Sequence, residues 1–165
     1  MEGNGFVKAV AIAVGVLSLA LVVGATAFAA EVSRTEYKEA VEPICQSNAK
    51  ANERLLSNVH KEVQAGKLKT AGAKFTKAST ELKRTLRELE GVPRPVADEA
   101  RLTKWFGLIK TEAELFATAG KKLKAGQKAA AEHVVVQLTQ NANKANSAVL
   151  PFGFHYCRFE PAKYS

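Results

Sequence analysis

The chain has 165 residues, a net charge of +8 and two cysteines. With a leader of about 30 residues set aside, about 135 remain, enough for one hydrophobic core and too few for two domains. The only methionine is Met1 and there is no Cys-x-x-Cys-His run, which argues against a haem bundle.

The first segment reads as an export signal. Lys8 is followed by an uncharged run from Ala9 to Ala30, rich in Ala, Val and Leu. An apolar middle with a small-residue end is the pattern of a secretory signal. Ala27 and Ala29 place cleavage after Ala29, with Ala25/Ala27 as second choice. The same run is long enough to cross a bilayer as an uncleaved anchor. Either way the chain after Glu31 is expected outside the cytoplasm, secreted or cell-envelope-associated, touching a membrane only through an uncleaved N-terminal segment. No cysteine lies near the apolar run, so a lipid-modified cysteine at the cleavage site is excluded. The expected organisation is a signal peptide or anchor over 1–29 and a single domain over 31–165. Cleavage removes Glu2 and Lys8 and leaves the charge at +8.

Beyond the leader the pattern is helical throughout. Ser33-Arg34-Thr35-Glu36 is a capping box. It opens a first helix that Pro43 kinks or restarts, that carries Ile44, Cys45, Ala51, Leu55, Leu56, Val59 and Val63 on one face, and that ends at Gly66. The second helix has the clearest stripe: Leu68, Ala71, Phe75, Ala78, Leu82, Leu86 and Leu89. Gly91-Val92-Pro93-Arg94-Pro95 stops it. The third starts near Val96–Asp98 and buries Leu102, Phe106, Ile109, Ala113, Phe116 and Leu123; Gly120 weakens it and Gly126 ends it. The fourth runs from about Gln127 to Leu150 with Ala131, Val134, Leu138, Ala142, Ala145 and Val149 inward, and Pro151 ends it.

Four helices with short joints predict an all-α, up-down-up-down four-helix bundle. Cys45 and Cys157 lie near the two ends of the exported part. Outside the cytoplasm disulfides persist, and two cysteines permit one pairing; the alternative is two free buried thiols. With the first helix running up and the fourth down, Cys45 and Cys157 meet at the lower end. Trp105, Leu86, Leu89, Phe152 and Phe154 fall there too, so the lower end is expected to be aromatic and stapled, and the Ala-richer upper part looser.

Tyr37 with Ile44-Cys45, Pro93 and Pro95 before Asp98, Trp105, Gly126, and Gly153-Phe154 before Cys157 together form a sparse pattern over nearly the whole exported chain. In these residues the chain resembles a group of small exported or lipid-anchored helical proteins of high-GC Gram-positive bacteria. It departs from them in Pro43 directly before Ile44 and in lacking the lipid-attachment cysteine. The resemblance implies a helical bundle and a paired Cys45–Cys157, and implies no activity.

The chain carries little recognisable chemistry. His60, His133 and His155 have no metal-site spacing, so no metal or cofactor is expected. Glu112 and Glu114 fall on different helix faces. Lys77–Glu81, Arg84–Glu88, Lys110–Glu114 and Lys128–Glu132 read as solvated pairs. No nucleophile elbow or phosphate loop is present, and no enzyme is expected.

Two features remain. Gln46, Asn48 and Asn52 on the first helix face an amide-rich fourth helix with Gln137, Gln140, Asn141, Asn143 and Asn146, if the two are neighbours. Asn48, Asn52 and Asn141 then line a seam that is either a groove for a small ligand or a pair of register-fixing buried amides. At the upper end, Lys61, Lys67, Lys69 and Lys74 join Lys121, Lys122, Lys124 and Lys128 against Glu62 and Glu132. Such a cap suits an anionic cell-wall polymer or an envelope protein. Without interleaved aromatics it does not suit nucleic acid. A solvated lysine-rich tip is the plainer alternative. The leading expectation is therefore a non-catalytic envelope module using this end, with an extracytoplasmic small-ligand carrier as the alternative.

Overall fold

The structure, a computed structural model, describes residues 31–160. The leader and its cleavage site fall outside them. Helix α1 spans Arg34–Leu56, α2 Val59–Gln64, α3 Leu68–Glu90, α4 Glu99–Lys124 and α5 Lys128–Ala148, with short 3-10 turns at Val96–Asp98 and Leu150–Phe152. The described chain is all-helical, a bundle of four long helices with α2 as a short extension of α1. Among the described residues no helix is long and apolar enough to cross a membrane.

Local signals set the helix ends. The Glu36 amide donates to Ser33 Oγ, and Glu36 Oε2 accepts from the Ser33 amide at 2.8 Å, completing the capping box. Gly66 and Gly126 take left-handed φ values of 72° and 75°. There the Lys67 amide returns to Glu62 O at 2.8 Å and the Gln127 amide to Lys122 O at 2.9 Å. These are paired Schellman-type ends that reverse the chain in few residues.

The structure settles one expectation about the helices and corrects two. Pro43 does not restart the first helix: it lies inside α1, which runs through it, on an exposed surface where its missing N–H costs least. The first helix does not reach Gly66 unbroken: Ser57 and Asn58 interrupt it, and the break keeps both Leu56 and Val59 buried. Gly120 is not a weak point. It is buried against Gly72 of α3, and a Cβ on either glycine would come within 2.7–2.8 Å of the other's carbonyl oxygen. The pair lets the α3 and α4 backbones touch.

The helices run antiparallel in sequence. Gly72 meets Gly120, and Ser79 Oγ donates to Ala113 O at 2.7 Å, so positions rise on α3 as they fall on α4. Asn141 Nδ2 bonds Leu108 O at 2.8 Å and Arg101 reaches Ala148 O, giving the same relation for α4 and α5. The principal packing is α3 on α4, α4 on α5 and α1 on α3. Helices α1 and α5, expected to be neighbours, do not pack along their lengths. The C-terminal segment bridges them instead, because its aromatic residues need the core.

That segment is held at many points. Cys157 is bonded to Cys45 with an S–S distance of 2.04 Å across 112 residues of sequence. Glu42 accepts from the His155 and Tyr156 amides, and Lys38 Nζ donates to Gly153 O at 2.6 Å. At the lower end Tyr37, Phe152, Phe154, Trp105 and Phe106 form one aromatic cluster with neighbouring centroids 5.1–6.4 Å apart. Arg34 lies over Phe152 and makes a two-point bond to buried Asp98, at 2.5 and 2.8 Å. The aromatic, stapled lower end is as the sequence predicts.

Candidate functional site

Because α1 and α5 stay apart, a cavity of about 90 Å³ opens between them. Its walls come from four helices: Asn48 and Asn52 of α1, Leu82, Thr85 and Leu89 of α3, Trp105, Ile109 and Glu112 of α4, and Ala145 and Asn146 of α5. Residues 156–160 form the last wall, a strap fixed by the Cys45–Cys157 bond. Asn146 clamps the strap further: its Nδ2 donates to Phe159 O at 2.8 Å and its Oδ1 accepts from the Phe159 amide at 3.0 Å. The Phe159 ring meets Phe116 edge-on at 5.6 Å.

The cavity concentrates unpartnered polar atoms. Six buried side-chain oxygens lack a hydrogen-bond partner among the described residues, and four belong to this one site: Asn48 Oδ1, Asn52 Oδ1, Thr85 Oγ1 and Glu112 Oε1. Asn52, Thr85 and Glu112 are each only 2 % exposed. A buried polar atom left unmatched costs about 1–3 kcal/mol. Four residues with such oxygens, from three helices, line this one pocket, a place suited to an occupant, whether ordered water or a ligand.

Glu112 dominates the electrostatics. Burial pushes its carboxyl up to about 8. At neutral pH Glu112 is thus a protonated acid, which can donate one hydrogen bond and accept others.

No family model matches this chain, and neither curated proteins nor solved structures gave a match. The reading of the site therefore rests on its own geometry.

The sequence-predicted residues divide. Asn48 and Asn52 face the cavity. Asn141 does not: its bond to Leu108 O ties α5 to α4, which is the register-fixing role weighed from the sequence. Gln137, Gln140 and Asn143 are exposed. The seam between the first and fourth helices is thus replaced by a cavity under the strap. Glu112 and Thr85 were missed, although their positions carried a signal. Glu112 sits three residues after Ile109 and four before Phe116, on the inward stripe. Thr85 follows Leu82 by three and precedes Leu89 by four.

The lysines do gather at one end, where the α2–α3 and α4–α5 joints meet across Phe75, Leu123 and Ala131. Their charge is partly spent within the fold. Lys74 pairs with Glu62 at 2.6 Å, Lys128 with Glu132 at 3.8 Å, and Lys124 Nζ donates to Thr76 Oγ1 at 2.9 Å. Lys61, Lys67, Lys69 and Lys121 are exposed and Lys122 is half-buried. Of the solvated pairs expected along the helices, Arg84–Glu88 forms at 2.5 Å and Lys128–Glu132 at 3.8 Å, and Glu81 pairs with Arg84 at 3.0 Å.

Proposed function

We propose that this protein is an exported, non-catalytic helical-bundle module that holds a small polar ligand beneath its C-terminal strap. The observation that carries the reading is four unpartnered oxygens on residues that line one pocket, three of them on side chains almost wholly buried. A bundle built only for stability would fill these positions with Leu or Ala, so their retention supports binding. The disulfide supports an oxidising, extracytoplasmic setting, in keeping with the export signal read from the sequence. The polar side chains of the wall are Asn48, Asn52, Thr85, Glu112 and Asn146 with Tyr156, Arg158 and Glu160 of the strap, and no histidine or free thiol stands among them, which favours binding over nucleophilic catalysis.

Native mass spectrometry of protein purified without denaturation tests this reading. A small adduct retained by the native chain and lost from Glu112→Leu is the expected result. An adduct-free chain, together with no thermal shift across a panel of small polar metabolites, contradicts it.

A second reading keeps the lysine-rich end as a contact for anionic wall polymer. The grouping of exposed Lys61, Lys67, Lys69 and Lys121 at one end favours it. Salt-sensitive binding to purified wall polymer, weakened by Lys121→Glu with Lys122→Glu, is then expected. Absent or salt-independent binding removes it.

A further inference from the structure

The chemistry of the cavity says what kind of small ligand it takes. The unpartnered atoms are all oxygens, contributed by two amides, a hydroxyl and a carboxyl on α1, α3 and α4. An occupant that satisfies them brings several N–H or O–H donors. Glu112, the acid whose carboxyl oxygen is buried without a partner, is best matched by one positive charge.

Size and walls narrow the class. At the volume each molecule takes in the liquid, about 90 Å³ holds about three waters. By proportion to the 150 Å³ cavity that takes up benzene, it holds about four non-hydrogen atoms of an organic molecule. Leu82, Leu89 and Ile109 supply apolar wall for a short carbon body, and the Trp105 ring borders the same space and can attract a cation. A hard metal ion is a poor match. It draws on several carboxylates, whereas no group of three or more acidic, histidine or cysteine side chains that could hold a metal occurs among the described residues.

We propose that the cavity binds a small primary ammonium ion of about ethanolamine's size, with Glu112 as its counter-ion and Asn48, Asn52 and Thr85 accepting its N–H groups. This deepens the binding function proposed above and rests on it. The site is pre-shaped for the purpose: α1 places both amides one turn apart, and α3 and α4 bring the hydroxyl and the acid to the facing wall. As the ammonium ion enters, Glu112 gives up its proton to solvent, the two then form a neutral ion pair, and the surrounding oxygens take up the remaining N–H groups. Full hydrogen bonding of this kind is what a buried ion pair requires.

The pairing couples binding to pH. In the empty cavity burial holds the Glu112 carboxyl protonated up to about 8. Taking up an ammonium ion below that pH releases one proton. The other titratable groups on the cavity wall are Arg158, Glu160 and Tyr156, all on the strap; α1, α3 and α5 contribute no charged residue to it. One proton released per ion bound makes the affinity rise about tenfold per pH unit well below pH 8, and about 50-fold from pH 6 to pH 8, where half the carboxyl has ionised.

Isothermal titration of the disulfide-intact full chain in phosphate buffer tests this, with ethanolamine as probe. Ethylene glycol serves as its uncharged counterpart, and sodium and calcium chlorides as metal probes. Expected are binding of ethanolamine that tightens about 50-fold between pH 6 and pH 8, little or no binding of ethylene glycol or the metals, and a loss of at least about tenfold in Glu112→Gln. The amide variant keeps the shape and, as argued below, folds more stably, so its loss of binding cannot come from unfolding. Ethylene glycol or a metal ion binding in place of ethanolamine would overturn the ammonium assignment while leaving a ligand cavity in place. Ethanolamine binding unchanged in Glu112→Gln would overturn the counter-ion role. Failure of every probe, with only water in the cavity of a crystal of the same protein, would overturn both this inference and the binding function.

Discussion

Replacing Glu112 by Gln should stabilise the protein at neutral pH and change little in acid. The carboxyl titrates at about 8 when buried in the fold, against an ordinary 4.5 in the unfolded chain. Between those values the unfolded chain gives up a proton that the folded protein keeps, so stability falls as pH rises. Each unit costs about 1.4 kcal/mol. The loss is about 3 kcal/mol by pH 7 and about 5 kcal/mol once the folded carboxyl has also ionised above pH 8. Glutamine has the same shape and no proton to lose, so the variant escapes the whole of this slope. Urea unfolding of both proteins from pH 4 to pH 9, in phosphate–citrate buffer free of amines, measures the difference. The two stabilities should coincide near pH 4 and diverge by about 3 kcal/mol at pH 7. For a domain of this size that is a difference of about 10 °C in Tm. Parallel curves across pH 4.5–8 would refute the buried, unpartnered acid on which the site is built.

Three further outcomes test the frame around the cavity. Replacing both Cys45 and Cys157 by Ala should cost about 4–5 kcal/mol in thermal or chemical unfolding, because the bond closes a loop across 112 residues, and should free the strap to amide exchange. Asp98→Asn should lower Tm at neutral pH, since the hydrogen bonds from Arg34 hold the Asp98 carboxyl below its ordinary value. That stabilisation is present above the usual carboxylate pKa and fades as pH falls through the depressed one, so the wild-type advantage over Asp98→Asn should shrink below about pH 4. Gly120→Ala drives a methyl group into the Gly72 carbonyl oxygen at 2.8 Å and should cost about 1–3 kcal/mol by overpacking. Alanine's better helix propensity, about 1 kcal/mol, offsets only part of this; urea unfolding reads the balance.

The sequence carried the helical layout because its signals are local. The capping box at Ser33, the stripe from Leu68 to Leu89 and the turn glycines Gly66 and Gly126 each act within a few residues of chain. The cysteine pairing was legible too, since two cysteines leave one partner each and the helix order brings them together. What stayed hidden was set by packing at long range. Nothing in the spacing of Asn141 says that it bonds α4 rather than α1, or that the strap keeps α1 and α5 apart. Gly120 looked like a weakness because its partner, Gly72, lies 48 positions away in the sequence and on another helix. Glu112 was legible in principle, as an acid on an apolar stripe. Weighed only against Glu114 as a carboxylate pair, it was not set against the stripe on its own helix, the one local sign that it is buried where charged side chains usually are not.

The most direct test of the account is the titration of the Glu112 side chain itself, followed by carbon-detected NMR of protein labelled at the glutamate carboxyl carbons and assigned by comparison with Glu112→Gln. The account expects a midpoint of about 8 in the ligand-free protein, moving down when ethanolamine is added. A midpoint near 4.5 in the free protein, unmoved by the amine, would contradict it.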